Sequence, residues 1–228
     1  MKIFIGYDPT AKIAFDVCKF SIEKNTSKNV EILALIQSDL RNNNYYYRPI
    51  DDKGSTEFTF TRFLVPALTN YQGWAIFCDC DFLWVNDIQE LISQKNNQYA
   101  VMVVKHDYNP SNNKKFNNNI QYQYPKKNWS SMILWNCSHE KNKNLTLDVV
   151  NTSSGEFLHQ FKWLNDEDIG TINKKWNWLA NWYVETDNEK PNAIHYTEGG
   201  PWIDLYKNCQ YSKEWNKYKE DFNKINSI

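Results

Sequence analysis

The chain has 228 residues, a length that suits one α/β domain with a substantial core and is short for two independent ones. Its 26 basic and 27 acidic side chains leave a formal net charge of −1, so nothing global attracts nucleic acid or an anionic membrane, and any anionic ligand must be held locally. No apolar run approaches a membrane span, and the N-terminus lacks the long apolar region of a signal peptide.

Residues 3–6 form a short apolar strand, and Tyr7-Asp8-Pro9 turns out of it into a helix with Ile13, Ala14, Val17, Phe20 and Ser21 at helical spacing. Asp8 falls at the carboxyl end of a strand, where open α/β sheets bind ligands. It serves equally well as an N-cap ahead of Pro9. A second strand over 30–36 precedes a polar, aperiodic segment with Tyr45, Tyr46, Tyr47 and Arg48, read as a loop on the binding face. Phe60, Phe63, Leu64, Ala67 and Leu68 predict a helix over 56–68, capped by Ser55 or Thr56. Arg62 lies inside it, where a guanidinium either snorkels to water or meets a ligand.

The run 74–78 reads as a strand buried on both faces, ending in Asp79-Cys80-Asp81. Two residues apart in extended chain, the aspartates project from the same side while Cys80 projects from the other. Like charges that close repel unless a cation lies between or beside them. A divalent metal carrying a phosphate-bearing ligand meets that need, because hard cations accept carboxylate oxygens and keep positions open for substrate. A solvated, Asp-capped turn is the plainer reading of an isolated D-x-D.

A short helix is expected over 86–91 and a strand over 99–104. Residues 106–127, rich in Asn, Lys and Tyr, read as a long loop assigned to acceptor contact, with His106 on the surface. A strand over 129–136 enters through Ser130 and Ser131, and short helices follow over 145–151 and 156–163. Asp166 and Glu167 in the acidic NDEDIG segment open a helix, with Asn165 as cap and the negative charge favoured by the dipole. Trp176, Trp178, Leu179 and Trp182 are assigned mostly to core, as are most aromatics, although sugars also stack on such rings. His195 emerges from a last strand over 193–195 as a metal-ligand candidate, Gly199 and Gly200 allow close backbone approach to a ligand, and a charged amphipathic segment closes the chain. Cys18, Cys78, Cys80, Cys137 and Cys209 form an odd set without metal-finger spacing, so buried reduced thiols and a cytoplasmic location are expected.

Four ordered segments, KIFIGYD, STEFTFTRFLVPAL, the D-x-D and HYTEGGPW, resemble glycosyltransferases of the GT-A fold. The resemblance is to family 8, which includes glycogenin and bacterial lipopolysaccharide galactosyltransferases. It implies a single α/β, Rossmann-like domain over 1–228, with a mixed, mostly parallel sheet flanked by helices. A nucleotide-binding half would span 1–105 and an acceptor half 106–228. It further implies metal ligation by Asp79, Asp81 and His195 with Mn²⁺ or Mg²⁺. Donor binding would involve Asp8 at base and ribose, Arg62 at sugar and phosphates, Asp79 at ribose, and Gly199 and Gly200. In the segment similar to the family's D-Q-D-x-L, Asp166 and Asp168 match the two aspartates and Glu167 replaces the glutamine, and Asp166 and Glu167 would lie beside the transferred sugar. The expected activity is retaining transfer of a hexose from a UDP-sugar to a glycan or other hydroxyl acceptor. Two departures bear on the donor: Trp129-Ser130-Ser131 replaces the family's Asn-Ala-Gly or Asn-Ser-Gly entry, and Gly200 replaces the lysine before Pro-Trp. A metal-dependent nucleotide-sugar phosphoesterase and a non-catalytic carbohydrate-binding module are the competing readings.

Overall fold

The computed structural model describes residues 1–49, 56–107 and 125–226. Its strands are β1 (Lys2–Gly6), β2 (Glu31–Leu35), β3 (Trp74–Cys78), β4 (Phe82–Trp84), β5 (Val101–Val103), β6 (Met132–Asn136), β7 (Ile169–Thr171), β8 (Trp178–Leu179) and β9 (Ala193–His195). The helices are α1 (Lys12–Asn25), α2 (Gln37–Asn42), α3 (Val65–Leu68), α4 (Ile88–Ile92), α5 (Leu147–Thr152), α6 (Gly155–His159) and α7 (Ser212–Asn226).

Six strands form one sheet in the order β2-β1-β3-β6-β5-β7, parallel except for β6, which runs against both neighbours. Ile3, Ile5, Ile76, Phe77, Ile133 and Leu134 are fully buried, as continuous apolar strands covered on both faces require. A smaller sheet, β4-β9-β8, carries the chain beyond the D-x-D. Its antiparallel register sets Phe82 opposite His195, joining segments more than a hundred residues apart in sequence. On its far side, Trp215 of α7 is buried with Val17, Leu83, Ile194 and Tyr196. Lys24 of α1 pairs with Asp221 of α7 at 2.6 Å.

Three local expectations change. Residues 56–68 do not form one helix; a turn leads to a 3-10 segment, Thr61–Leu64, and then α3, because Phe58, Phe63 and Leu64 are all drawn into the core. The acidic NDEDIG segment makes one 3-10 turn, Asp166–Asp168, closed by a capping box between Asn165 and Asp168, and then enters β7 rather than a helix. The Tyr45–47 segment is held by α5: the Asn151 side chain accepts from the N–H groups of Tyr47 and Arg48 and donates to the Tyr45 carbonyl. The Ser55 cap and most of the loop assigned to acceptor contact lie outside the described residues.

Candidate active site

Asp79, Asp81 and His195 come together where β3 ends and β4 begins. One ligand atom from each lies within 4.8 Å of the others. The Asp79 N–H donates to the Ser131 carbonyl at 2.9 Å, prolonging the β3–β6 ladder by one residue, and the Tyr196 N–H donates to the Asp81 carbonyl at 3.0 Å. Main-chain pairing therefore fixes both ends of the D-x-D before any side-chain interaction is considered. Cys80, between them, is buried. Burial and the surrounding carboxylates of Asp81, Asp79 and Asp8 push its thiol well up, so it stays neutral while marking where three negative groups converge.

Arg62 is 6% exposed, and its Nη1 lies 2.8 Å from Asp79 Oδ1. The same guanidinium donates to the carbonyls of Phe58 and Ser130 and lies about 5 Å from the Phe77 ring centroid. It is thus a buried partner of the carboxylate pair rather than a snorkelling head. Asp8 accepts from the backbone N–H and hydroxyl of Thr10 and from the Glu57 N–H. That capping use leaves it at the carboxyl end of β1, beside β3.

His195 is 2% exposed. Its ring stacks on Phe82 with centroids 4.4 Å apart, Nδ1 lies 2.9 Å from Asn177 Oδ1, and Nε2 lies 3.4 Å from Asp81 Oδ1. Asp81 Oδ1 is buried and receives no hydrogen bond among the described residues. A buried carboxylate oxygen without a donor is costly, and a neighbouring imidazole nitrogen supplies the mixed N/O set that a divalent cation accepts. The residues fit a metal.

The other expected residues are placed differently. Asp166 is 86% exposed at its side chain and pairs with Lys126 at 2.7 Å, which holds its carboxyl below the usual range. Glu167 is exposed beside Asn165. Neither belongs to the Asp79–Asp81–His195 cluster. Gly199 has a φ of +130°, and a Cβ there would lie 2.6 Å from the Tyr206 ring. One on Gly200 would lie 2.0 Å from the Trp202 ring. Both glycines therefore let their own loop fold down against its aromatic side chains.

Two residues escaped sequence reasoning. Asn177 is fully buried amid the aromatic segment assigned to core; an amide enclosed by tryptophans needs polar partners, and that was the available signal. His106, expected on the surface, is 7% exposed, with Nδ1 2.8 Å from the Tyr183 hydroxyl. Burial, helped by nearby His195 and opposed by Asn177, pushes its imidazole down to about 3. The unfolded chain binds a proton at His106 near the ordinary pH of about 6.5, and the folded chain does not until far lower. Stability that is complete above that pH is therefore lost as the pH falls, by about 1.4 kcal/mol per unit from this group. Urea unfolding at pH 7 and pH 5 should show this loss and His106→Gln should reduce it; equal slopes in both proteins would contradict it.

A mostly parallel six-stranded sheet with a carboxylate pair at a central strand end and a histidine beside it, together with the similarity to known proteins, makes this a glycosyltransferase of the GT-A fold. Residues 15–205 match the profile described as Glycosyl transferase family 8, and the chain belongs to that family. It is 50% identical over 228 residues to "Protein CDI" of Arabidopsis thaliana, covering 99% of this chain and 88% of that protein. Among solved structures, the bifunctional glycosyltransferase WbbM is similar with a TM-score of 0.62 and 15% identity over 96% of this chain, which spans 49% of WbbM. The glycosyltransferase GlyE of Streptococcus pneumoniae gives 0.61 at 12% identity, with 99% of this chain and 63% of GlyE covered. The galactosyltransferase LgtC, solved with donor and acceptor sugar analogs, gives 0.59 at 12% identity, with 97% of this chain and 96% of LgtC covered.

Proposed function

We propose that this glycosyltransferase is divalent-metal-dependent and moves a hexose from a UDP-sugar to an acceptor hydroxyl with retention of anomeric configuration. The observation that carries the reading is the buried Asp81 Oδ1, without a hydrogen-bond donor among the described residues, facing His195 Nε2 at 3.4 Å. Asp79, Asp81 and His195 would hold Mn²⁺ or Mg²⁺, which would supply positive charge to offset the negative charge developing on the departing diphosphate.

The chain's own groups provide the rest. Arg62 neutralises part of the carboxylate pair and keeps Asp79 from turning away, so the site does not reorganise when donor arrives. Asp79 and Asp8 are assigned to the ribose and base, and Gly199 and Gly200 to a loop whose backbone, bare of side chains, allows close approach to the phosphates. With glycine at position 200, phosphate charge would fall to the metal, Arg62, backbone N–H groups or another basic residue. Residues 1–105 would form the nucleotide-binding half with the D-x-D, and 106–228 the acceptor half, which also brings the His195 metal ligand. Five free cysteines support a cytoplasmic setting.

A nucleotide held at about 100 times its dissociation constant adds roughly 2.7 kcal/mol to folding stability. UDP with Mn²⁺ should therefore raise the melting temperature, and EDTA should remove most of the gain. Equal stabilisation with and without metal would contradict the role given to the D-x-D.

Asp166 and Glu167 are assigned to the oxocarbenium character that develops on the sugar. Loss of a buried electrostatic partner costs on the order of 10²-fold in rate, but the solvent exposure of Asp166 weakens its field, so Asp166→Asn should lower kcat by about tenfold with donor KM little changed. Glu167→Gln should do less, since the family commonly carries glutamine there. Wild-type single-turnover rates in both variants would leave the segment as a capped turn and no more.

A further inference from the structure

We propose that Asn177 is a positioning residue that fixes the neutral His195 ring as its Nδ1–H tautomer, keeping Nε2 an open electron-pair donor toward Asp81. The assignment follows from a one-way chain of hydrogen bonds that starts at a group with no proton to give. The Ser131 hydroxyl donates to the backbone carbonyl of Asn128 at 2.7 Å, and a hydroxyl has one proton. Its second contact, with the Asn177 side chain at 2.8 Å, must therefore be an acceptance, so the atom of Asn177 facing it is the amide nitrogen. That turns the amide oxygen toward His195, 2.9 Å from Nδ1. An amide oxygen only accepts, so Nδ1 carries the proton and Nε2 presents its lone pair.

The consequence lies on the far side of the ring. Nε2 faces Asp81 Oδ1 at 3.4 Å, and with the proton on Nδ1 both atoms are electron-pair donors. Their mutual repulsion in a buried setting is relieved by a cation between them. Stacking on Phe82 fixes the plane of the ring, and the Asn177 bond selects its orientation within that plane, because a flip would keep the stacking but put a carbon in place of Nδ1. Ser131, Asn177 and His195 are all buried, which keeps water from supplying alternative partners. The carbonyl of Ser131 also accepts the Asp79 N–H, so this one residue positions the first aspartate through its backbone and, through Asn177, the histidine through its side chain.

The metal part of this inference rests on the proposed metal-dependent reading, whereas the tautomer does not. Long-range ¹H–¹⁵N spectra of the metal-free protein, at a pH where the ring is neutral, should show His195 protonated at Nδ1 and not at Nε2. A proton on Nε2 would overturn the proposal. Asn177→Asp keeps an acceptor oxygen, and the Ser131 hydroxyl can rotate to donate to it, so Mn²⁺ affinity measured by electron paramagnetic resonance should stay within about threefold of wild type or rise. Asn177→Leu keeps the shape without the acceptor and should weaken Mn²⁺ binding by about 10- to 100-fold. Wild-type affinity in folded Asn177→Leu would also overturn the proposal. Should the leucine variant fail to fold, the wild-type spectrum decides alone. A wild-type protein that takes up no Mn²⁺ contradicts the metal-dependent reading, and the spectrum still reports the tautomer.

Discussion

Asp81→Asn should fold normally and lose about 100-fold in Mn²⁺-dependent sugar transfer, with His195→Ala close behind, at the upper end of the range for disturbing a metal's surroundings. The substitution keeps the shape of the side chain and removes the charge from an oxygen that receives no hydrogen bond among the described residues. Folding should survive because that oxygen contributes repulsion, not bonding, to the metal-free protein. Stability of Asp81→Asn should equal or exceed that of wild type when metal is absent, a result that a merely structural aspartate would not give. Circular dichroism melts in EDTA, together with transfer rates in Mn²⁺, check both halves. Full activity in either variant would leave the histidine and the second aspartate as structural groups.

Arg62→Met should destabilise the fold by about 3–5 kcal/mol, because it takes the buried guanidinium from the largely enclosed carboxylate of Asp79, 14% exposed at its side chain. The guanidinium lies 2.8 Å from Asp79 and also donates to two carbonyls that bracket the site, Phe58 and Ser130. Arg62→Met combined with Asp79→Asn should recover a large part of that loss, since the uncompensated charge disappears along with its counterpart. Urea unfolding of the single and double variants measures the coupling directly. A single-variant cost below about 1 kcal/mol would place Arg62 among solvent-screened surface pairs, contrary to its burial.

The strand pattern and the D-x-D were readable because each rests on local rules: β3 is apolar on both faces and ends where two charges begin. That Asp79 and Asp81 flank a buried Cys80 follows from the two-residue period of extended chain. His195 could be singled out by its strand-end position and by family resemblance, but its partner could not. Asn177 reaches it only because β8 and β9 pair in parallel, with Trp178 opposite Ile194, and long-range register is invisible in a single sequence. His106 was misread for the same reason: flanked by Lys105 and Asp107, it carries no local sign that Tyr183, from a segment far along the chain, covers it. The helix expected over 56–68 failed where helical spacing competed with burial. Phe58 must insert against Gly6, where any Cβ would lie 2.4 Å from its ring, and a regular helix does not deliver it there.

The central claim is that Asp79, Asp81 and His195 together hold a divalent cation at the donor site. Crystals grown with Mn²⁺ and UDP and measured at the manganese absorption edge test it most directly. The account predicts one strong anomalous peak at bonding distance from both carboxylates and from His195 Nε2, with the diphosphate completing its coordination. A nucleotide bound without that peak, or a peak whose ligands exclude His195, would contradict it.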